Sequence, residues 1–286
     1  MDTDFSRITR KTPKWEDALT KPILSIKDFI DVATAKYPVG LLPKSIIPLS
    51  DIARVKNLLP NLKREKYKNT DETENVKVTG KTFVDSISIS DYLNSPVDYL
   101  LESILSIPFK NLTNLFRSFG IDVEALKDYT TNIPYKSKVI RIISVPTGCK
   151  KDDGNDCNVF HFDCILRDSL LKPDFIHLPK GLEINNYHQF SVCFPIENGF
   201  YAPDNLEVFE KRYFPRTMEE LTNWRVSRNI LEGVKKHIHT PKVGEPYMFN
   251  TQNVHNVAGG HPFSNRINFS VFFIYVPTLN KLFYYN

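Results

Sequence analysis

Long apolar runs are missing from this sequence, and their absence excludes the first class of functions. No stretch approaches the ~20 consecutive apolar residues that a membrane-spanning helix needs. The first residues, MDTDFSRITRKTPKWED, mix acids and bases with no hydrophobic segment behind them. A secretory signal requires such a segment, so the expected location is the cytoplasm, with no membrane partner. Cysteine is scarce as well. Cys149, Cys157, Cys164 and Cys193 are too few for a disulfide scaffold in 286 residues and lack the C-x-x-C spacing of a zinc site. Cys149 and Cys157 flank a loop and could pair under oxidation, but reduced thiols are the cytoplasmic expectation. Blocks of one charge sign are absent too. The 37 Lys and Arg against 33 Asp and Glu leave a net charge of +4 with no basic cluster, so nothing points to nucleic acid.

What is present is an ordinary globular composition, 41% hydrophobic and 24% charged, on a chain long enough to bury a full core. Its character changes near residue 137. Before that point apolar residues recur at helical intervals: Ile23, Ile26, Phe29, Ile30 and Val32; then Tyr99, Leu100, Ile104 and Leu105; then Leu112, Leu115, Phe116 and Phe119. Prolines 38, 43, 48, 60, 96 and 108 punctuate these segments. The charged stretch from Lys63 to Asn75 reads as an exposed loop.

After residue 137 the runs are short and β-rich: Val139–Val145, Asn158–Cys164, His188–Ile196, Leu206–Phe209, Tyr247–Phe249 and Arg266–Val276. Their connections are too short for repeated helical crossovers, which predicts an antiparallel sandwich or barrel. One helix interrupts the series at about 217–236. Thr217 and Glu220 suit a capping box, and Leu221, Trp224, Ile230, Leu231 and Val234 follow. Such an insertion serves equally as a lid or as packing. The chain thus divides into a mainly helical part, 1–137, packed on a catalytic core, 138–286. The helical part would supply either pocket wall or a homodimer surface.

Phe160-His161-Phe162-Asp163-Cys164 lies in an expected strand, where residues two apart share a face. His161 and Asp163 could therefore meet one metal ion, or simply hydrogen-bond at a rim. Downstream, Asn253-Val254-His255-Asn256-Val257 offers a second imidazole. The strand that follows places Arg266, Asn268 and Ser270 on one face and Ile267, Phe269 and Val271 on the other. A polar row in so apolar a strand needs partners, and a guanidinium there suits a bidentate carboxylate. Two imidazoles and one carboxylate on one face of iron form the facial triad of non-haem Fe(II) oxygenases, which leaves room for a 2-oxo acid and dioxygen.

This constellation resembles the Fe(II)/2-oxoglutarate oxygenase superfamily: H-x-D, a His about 90 residues later, and an Arg eleven positions beyond it (255 to 266). The resemblance covers roughly residues 138–276. It implies an α+β protein with a double-stranded β-helix (jelly roll) core. His161, Asp163 and His255 would hold Fe(II), and Arg266 would bind the far carboxylate of the 2-oxoglutarate cosubstrate, with O2 consumed and succinate and CO2 released. The stretch from Phe249 to Arg266 is similar to stand-alone hydroxylases of amino acids and their derivatives and to carrier-independent halogenases. In those halogenases Gly or Ala replaces the carboxylate ligand; Asp163 therefore points to hydroxylation of an unactivated C–H bond in a small molecule. The other reading is a metal-binding, cupin-like jelly roll acting as a binding module or isomerase.

Further residues carry open assignments. Ser270, Asn268 and Gln189 could bind the cosubstrate; Gln189, Ser191 and Cys193 alternate with Phe190 and Val192 and suit either a cavity lining or a solvated sheet face. Arg141 and Asn250 are candidates for the substrate, with a rim ion pair as the equal alternative for Arg141. Asn250 and Asn253 could also orient His255. His237 and His239, with no carboxylate or third ligand beside them, are expected to follow a helix C-terminus, where imidazolium is electrostatically favourable. His261 is expected at the surface, and Asp152, Asp153 and Asp156 lack the spacing of a calcium loop.

Overall fold

The computed structural model describes residues 12–63, 65–66, 76–82, 88–136, 138–144, 160–163, 187–199, 204–212, 226, 228–259 and 265–285. Helices start where a polar side chain precedes an amphipathic run. Ser25 accepts from the Asp28 N–H at 3.2 Å and opens α1 (Ile26–Ala33), which turns Phe29, Val32 and Ala33 inward. α2 (Leu49–Leu58) follows, then α3 (Ile89–Asn94), capped by Ser88. α4 (Tyr99–Ser118) is capped by Asp98, which accepts from the Leu101 N–H at 2.9 Å.

Pro108 lies inside α4, so the two helical stretches expected on either side of it are one 20-residue helix. Proline has no N–H for the carbonyl of residue 104. Arg54 of α2 supplies the missing donor, its Nη2 lying 3.0 Å from the Ile104 carbonyl. A side chain 50 residues away therefore makes the break tolerable, which no local pattern reveals.

Asp31, only 2% exposed on α1, faces three ammonium groups: Lys21 at 2.9 Å, Lys27 at 2.6 Å and Lys36 at 3.4 Å. Burial alone would raise this carboxyl, but hydrogen bonds and charge from the lysines outweigh it and hold it at about 2. An unfolded aspartate titrates near ~3.9. The folded value is the lower one, so the stabilisation is complete above about pH 5 and is lost as pH falls toward about 2. With the lysines partly in solvent, it amounts to about 1–2 kcal/mol. Asp31→Asn is expected to lower the urea-unfolding free energy by that amount near neutrality, and by progressively less as the medium is acidified. An unchanged value near neutrality would mean the cluster contributes nothing net.

The strands are β1 (Thr20–Pro22), β2 (Val39–Leu41), β3 (Glu65–Lys66), β4 (Val76–Thr79), β5 (Asp122–Ala125), β6 (Val139–Ser144) and β7 (His188–Glu197). They continue with β8 (Asp204–Arg212), β9 (Lys236–His239), β10 (Tyr247–Asn250), β11 (Asn253–Gly259), β12 (Asn265–Val276) and β13 (Lys281–Tyr285). Ten of them form one sheet, ordered β1-β2-β10-β7-β12-β6-β4-β3, with β13 also on β12 and β5 on β13. The rest form a second sheet ordered β11-β8-β9. Pairing is antiparallel except for β1 with β2 and β5 with β13. The first 137 residues therefore contribute strands to the large sheet as well as helices.

Alternation sorts the large sheet's two faces. Phe190, Val192, Phe194 and Ile196 of β7, Met248 of β10, and Ile267, Phe269, Val271 and Phe273 of β12 pack with α1, α2 and α4 in the main core. Cys193, Tyr247 and Phe249 point the other way and pack with Leu206 and Val208 of the second sheet. The expected helix at about 217–236 is not continuous: Arg228–Leu231 is a short 3₁₀ turn and Lys236–His239 is β9. Residues 213–225, with its expected cap, lie outside the described ones. Among the described residues no helix is long and apolar enough to cross a membrane.

Candidate metal centre

Residues 160–163 keep the alternation of an extended segment. Phe160 and Phe162 pack with Phe209, Val226, Leu231 and Val254, while His161 and Asp163 stay outside that cluster. Main-chain bonds lock the segment against the second sheet. His161 N–H donates to the His255 carbonyl at 3.0 Å and His255 N–H returns a bond to His161 at 2.8 Å. Two residues on, Asp163 N–H donates to Thr251 at 2.9 Å, and Thr251 N–H donates to Gln189 of β7 at 3.1 Å. Segments far apart in the chain thus meet with fixed register.

The side chains converge accordingly. His161, Asp163 and His255 each offer a ligand atom within 4.8 Å of the other two, and among the described residues no other group of His, Cys, Asp or Glu does so. The two imidazole centroids are 4.3 Å apart, and His255 Nε2 lies 3.5 Å from Asp163 Oδ2. His255 is 4% exposed, with its ring edge-on to Phe249 at 5.0 Å. Its Nδ1 is 2.9 Å from the Asn253 carbonyl. A carbonyl only accepts, so Nδ1 carries a proton, and Nε2 is the nitrogen turned toward Asp163. Orientation of the distal imidazole comes from the main chain of Asn253. A backbone acceptor has no signature in a sequence, and the Asn253 side chain suggested only the neighbourhood.

The polar row of β12 opens into the same space between the sheets. Arg266 is 6% exposed, and its Nη2 donates to the Tyr247 hydroxyl at 3.0 Å. Burial pushes the Tyr247 phenol up, so it stays protonated, between Arg266 and Cys193. Asn268 and Ser270 are buried, and Asn268 Oδ1 has no hydrogen-bond partner among the described residues. Gln189, Ser191 and Cys193 are all buried, which removes the solvated-face alternative. Tyr247 was not singled out from the sequence. Its alternation with Phe249 about Met248, matching the row on β12, was the available signal.

Asn250 donates to the Ala33 carbonyl and accepts from the Gln252 N–H at 3.0 Å, so its amide ties α1 to the turn before β11. The helix-terminal expectation for His237 and His239 is corrected: they are on β9, and burial pushes both imidazoles down, His239 to about 4. They are neutral near pH 7. Arg141 takes its place in β6, its backbone paired with Asn268 and Val78, and its side chain lies outside the described ones. Cys149, Cys157, Cys164, His261 and the Asp152–Asp156 loop lie outside them too, while Cys193 is a free thiol.

No protein-family model and no curated protein matches the chain by sequence. By structure it is similar to an N-substituted L-amino acid dioxygenase from Burkholderia ambifaria, with 14% identity and a TM-score of 0.40 over 82% of this chain and 91% of that one. It is also similar to an oxidoreductase of the 2OG-Fe(II) oxygenase family from Burkholderia pseudomallei, with 12% identity and a TM-score of 0.47 over 90% and 94%. A third similar structure is the non-heme alpha ketoglutarate dependent epimerase SnoN of nogalamycin biosynthesis, with 8% identity and a TM-score of 0.43 over 86% and 80%.

Proposed function

We propose that this chain is an Fe(II)- and 2-oxoglutarate-dependent dioxygenase built on a double-stranded β-helix, which hydroxylates an unactivated C–H bond of a small molecule, an amino acid or a derivative of one. The observation that carries the reading is the convergence of His161, Asp163 and His255 in the same inter-sheet space as the buried Arg266. The donor set fits iron. Two imidazoles and a carboxylate suit Fe(II), and the Nδ1 bond to Asn253 leaves Nε2 of His255 for a metal. When bound, iron supplies the activation of dioxygen, with 2-oxoglutarate oxidised to succinate and CO2.

The protein's own groups do the rest. Arg266 and Tyr247 recognise the far carboxylate of the cosubstrate, one by charge and the other by a protonated hydroxyl. Phe249 and the apolar residues around His255 keep water from the buried side of the centre, and Asp163, at 29% exposed, marks its open side. The Asp163 carboxylate fills the position that a halide would require, which favours hydroxylation. The substrate enters as a small-molecule partner from that side.

Anaerobic addition of Fe(II) and 2-oxoglutarate is expected to produce a visible charge-transfer absorption. In air, succinate release should rise on addition of the substrate, sought across a panel of amino acids and their N-substituted forms. Iron binding without the absorption or the succinate would instead identify a metal-binding module of cupin type, the alternative reading.

A further inference from the structure

His237 and His239 take no part in the metal centre, yet β9 brings one of them into the same space. Directly paired residues of a sheet share a face. His255, Val208 and His237 therefore form one row of the second sheet, and Val257, Leu206 and His239 form the next. Leu206 and Val208 pack on Tyr247 and Phe249 of the large sheet, so the face that carries His255 carries His239 as well. His237 is occupied at the edge, with Nε2 3.0 Å from Thr20 Oγ1. His239 lies deeper, 9% exposed, its ring centroid 4.7 Å from that of Tyr247. Its Nε2 is buried with no hydrogen-bond partner among the described residues.

A buried ring nitrogen left unmatched is unfavourable, and such groups normally meet a partner. Burial, with the charges of Arg266 and Lys242 acting against that of Glu245, keeps this imidazole neutral near pH 7. A neutral imidazole has one N–H to give.

On the reading that the chain binds 2-oxoglutarate, we propose that His239 is a third recognition group for the far carboxylate, donating from Nε2 beside Tyr247 and Arg266. The guanidinium supplies the compensating charge. The phenol and the imidazole add direction without a second buried cation, whose desolvation would work against binding. Donors would then come from both sheets, Arg266 and Tyr247 from β12 and β10 and His239 from β9, so that a bound dicarboxylate spans the gap between them.

The test compares two 2-oxo acids of equal chain length, 2-oxoglutarate and 2-oxovalerate, the second lacking the far carboxylate. Dissociation constants are measured by anaerobic titration calorimetry on Fe(II)-loaded, full-length protein. His239→Leu is expected to weaken 2-oxoglutarate about five- to tenfold, to leave 2-oxovalerate within about twofold, and to leave iron affinity unchanged. His239→Asn, which restores an N–H donor, is expected to recover most of the loss. Equal weakening of both acids, or no weakening of either, overturns the proposal while leaving the cosubstrate reading intact. Failure of the unmodified protein to bind 2-oxoglutarate overturns both.

Discussion

Replacing His255 by Gln is expected to abolish iron binding and to reduce substrate-dependent succinate release to background. The imidazole is buried and already oriented, with Nδ1 committed to the Asn253 carbonyl and Nε2 facing Asp163. An amide at this position keeps most of the side-chain volume against Phe249, so the loss is chemical and not the result of a cavity. A carboxamide is a poor ligand for Fe(II) compared with an imidazole. Asp163→Ala removes the one negative donor and is expected to weaken iron strongly, with an unchanged circular dichroism spectrum, because Asp163 holds its place through a main-chain bond to Thr251. The measurement is metal content after anaerobic loading and gel filtration. If His255→Gln retained iron at full stoichiometry, the ligand assignment would be wrong.

The second large effect belongs to Arg266. Arg266→Ala should weaken 2-oxoglutarate on the order of 100-fold, because it strips a buried carboxylate of its compensating charge. Iron affinity should not change. Tyr247→Phe removes only a neutral hydroxyl and should cost roughly three- to tenfold. The charge-transfer absorption reports both, by titration with 2-oxoglutarate under argon. A guanidinium that served only to hold Tyr247 would give another pattern, in which Arg266→Ala lowers thermal stability and leaves cosubstrate affinity unchanged.

Much of the metal centre was readable because strand geometry has a short period. His161 with Asp163, and Arg266 with Asn268 and Ser270, are pairs or rows at spacing two, and β7 and β12 are long enough for alternation to declare itself. That β12 is apolar on both faces except for the polar row at its beginning was also legible. What escaped was short or non-local. β1 and β2 have three residues each, too few for any period, and their existence depends on a partner elsewhere in the chain. Lys236-His237-Ile238-His239 alternates, yet it sat behind a helix-like pattern and read as its tail. Pro108 read as a helix break because its compensating donor, Arg54, comes from another helix.

The reciprocal bonds between His161 and His255 have a consequence for how such a centre can change. Both bonds run between main-chain groups, as does the one from Asp163 to Thr251. The frame that spaces the three donor positions is therefore indifferent to the side chains mounted on it. Donor atoms can be exchanged one at a time, carboxylate for imidazole or for nothing at all, without re-solving the folding problem. On such a mount, the choice of metal and the outcome of its chemistry can drift on an evolutionary timescale while the architecture stands still.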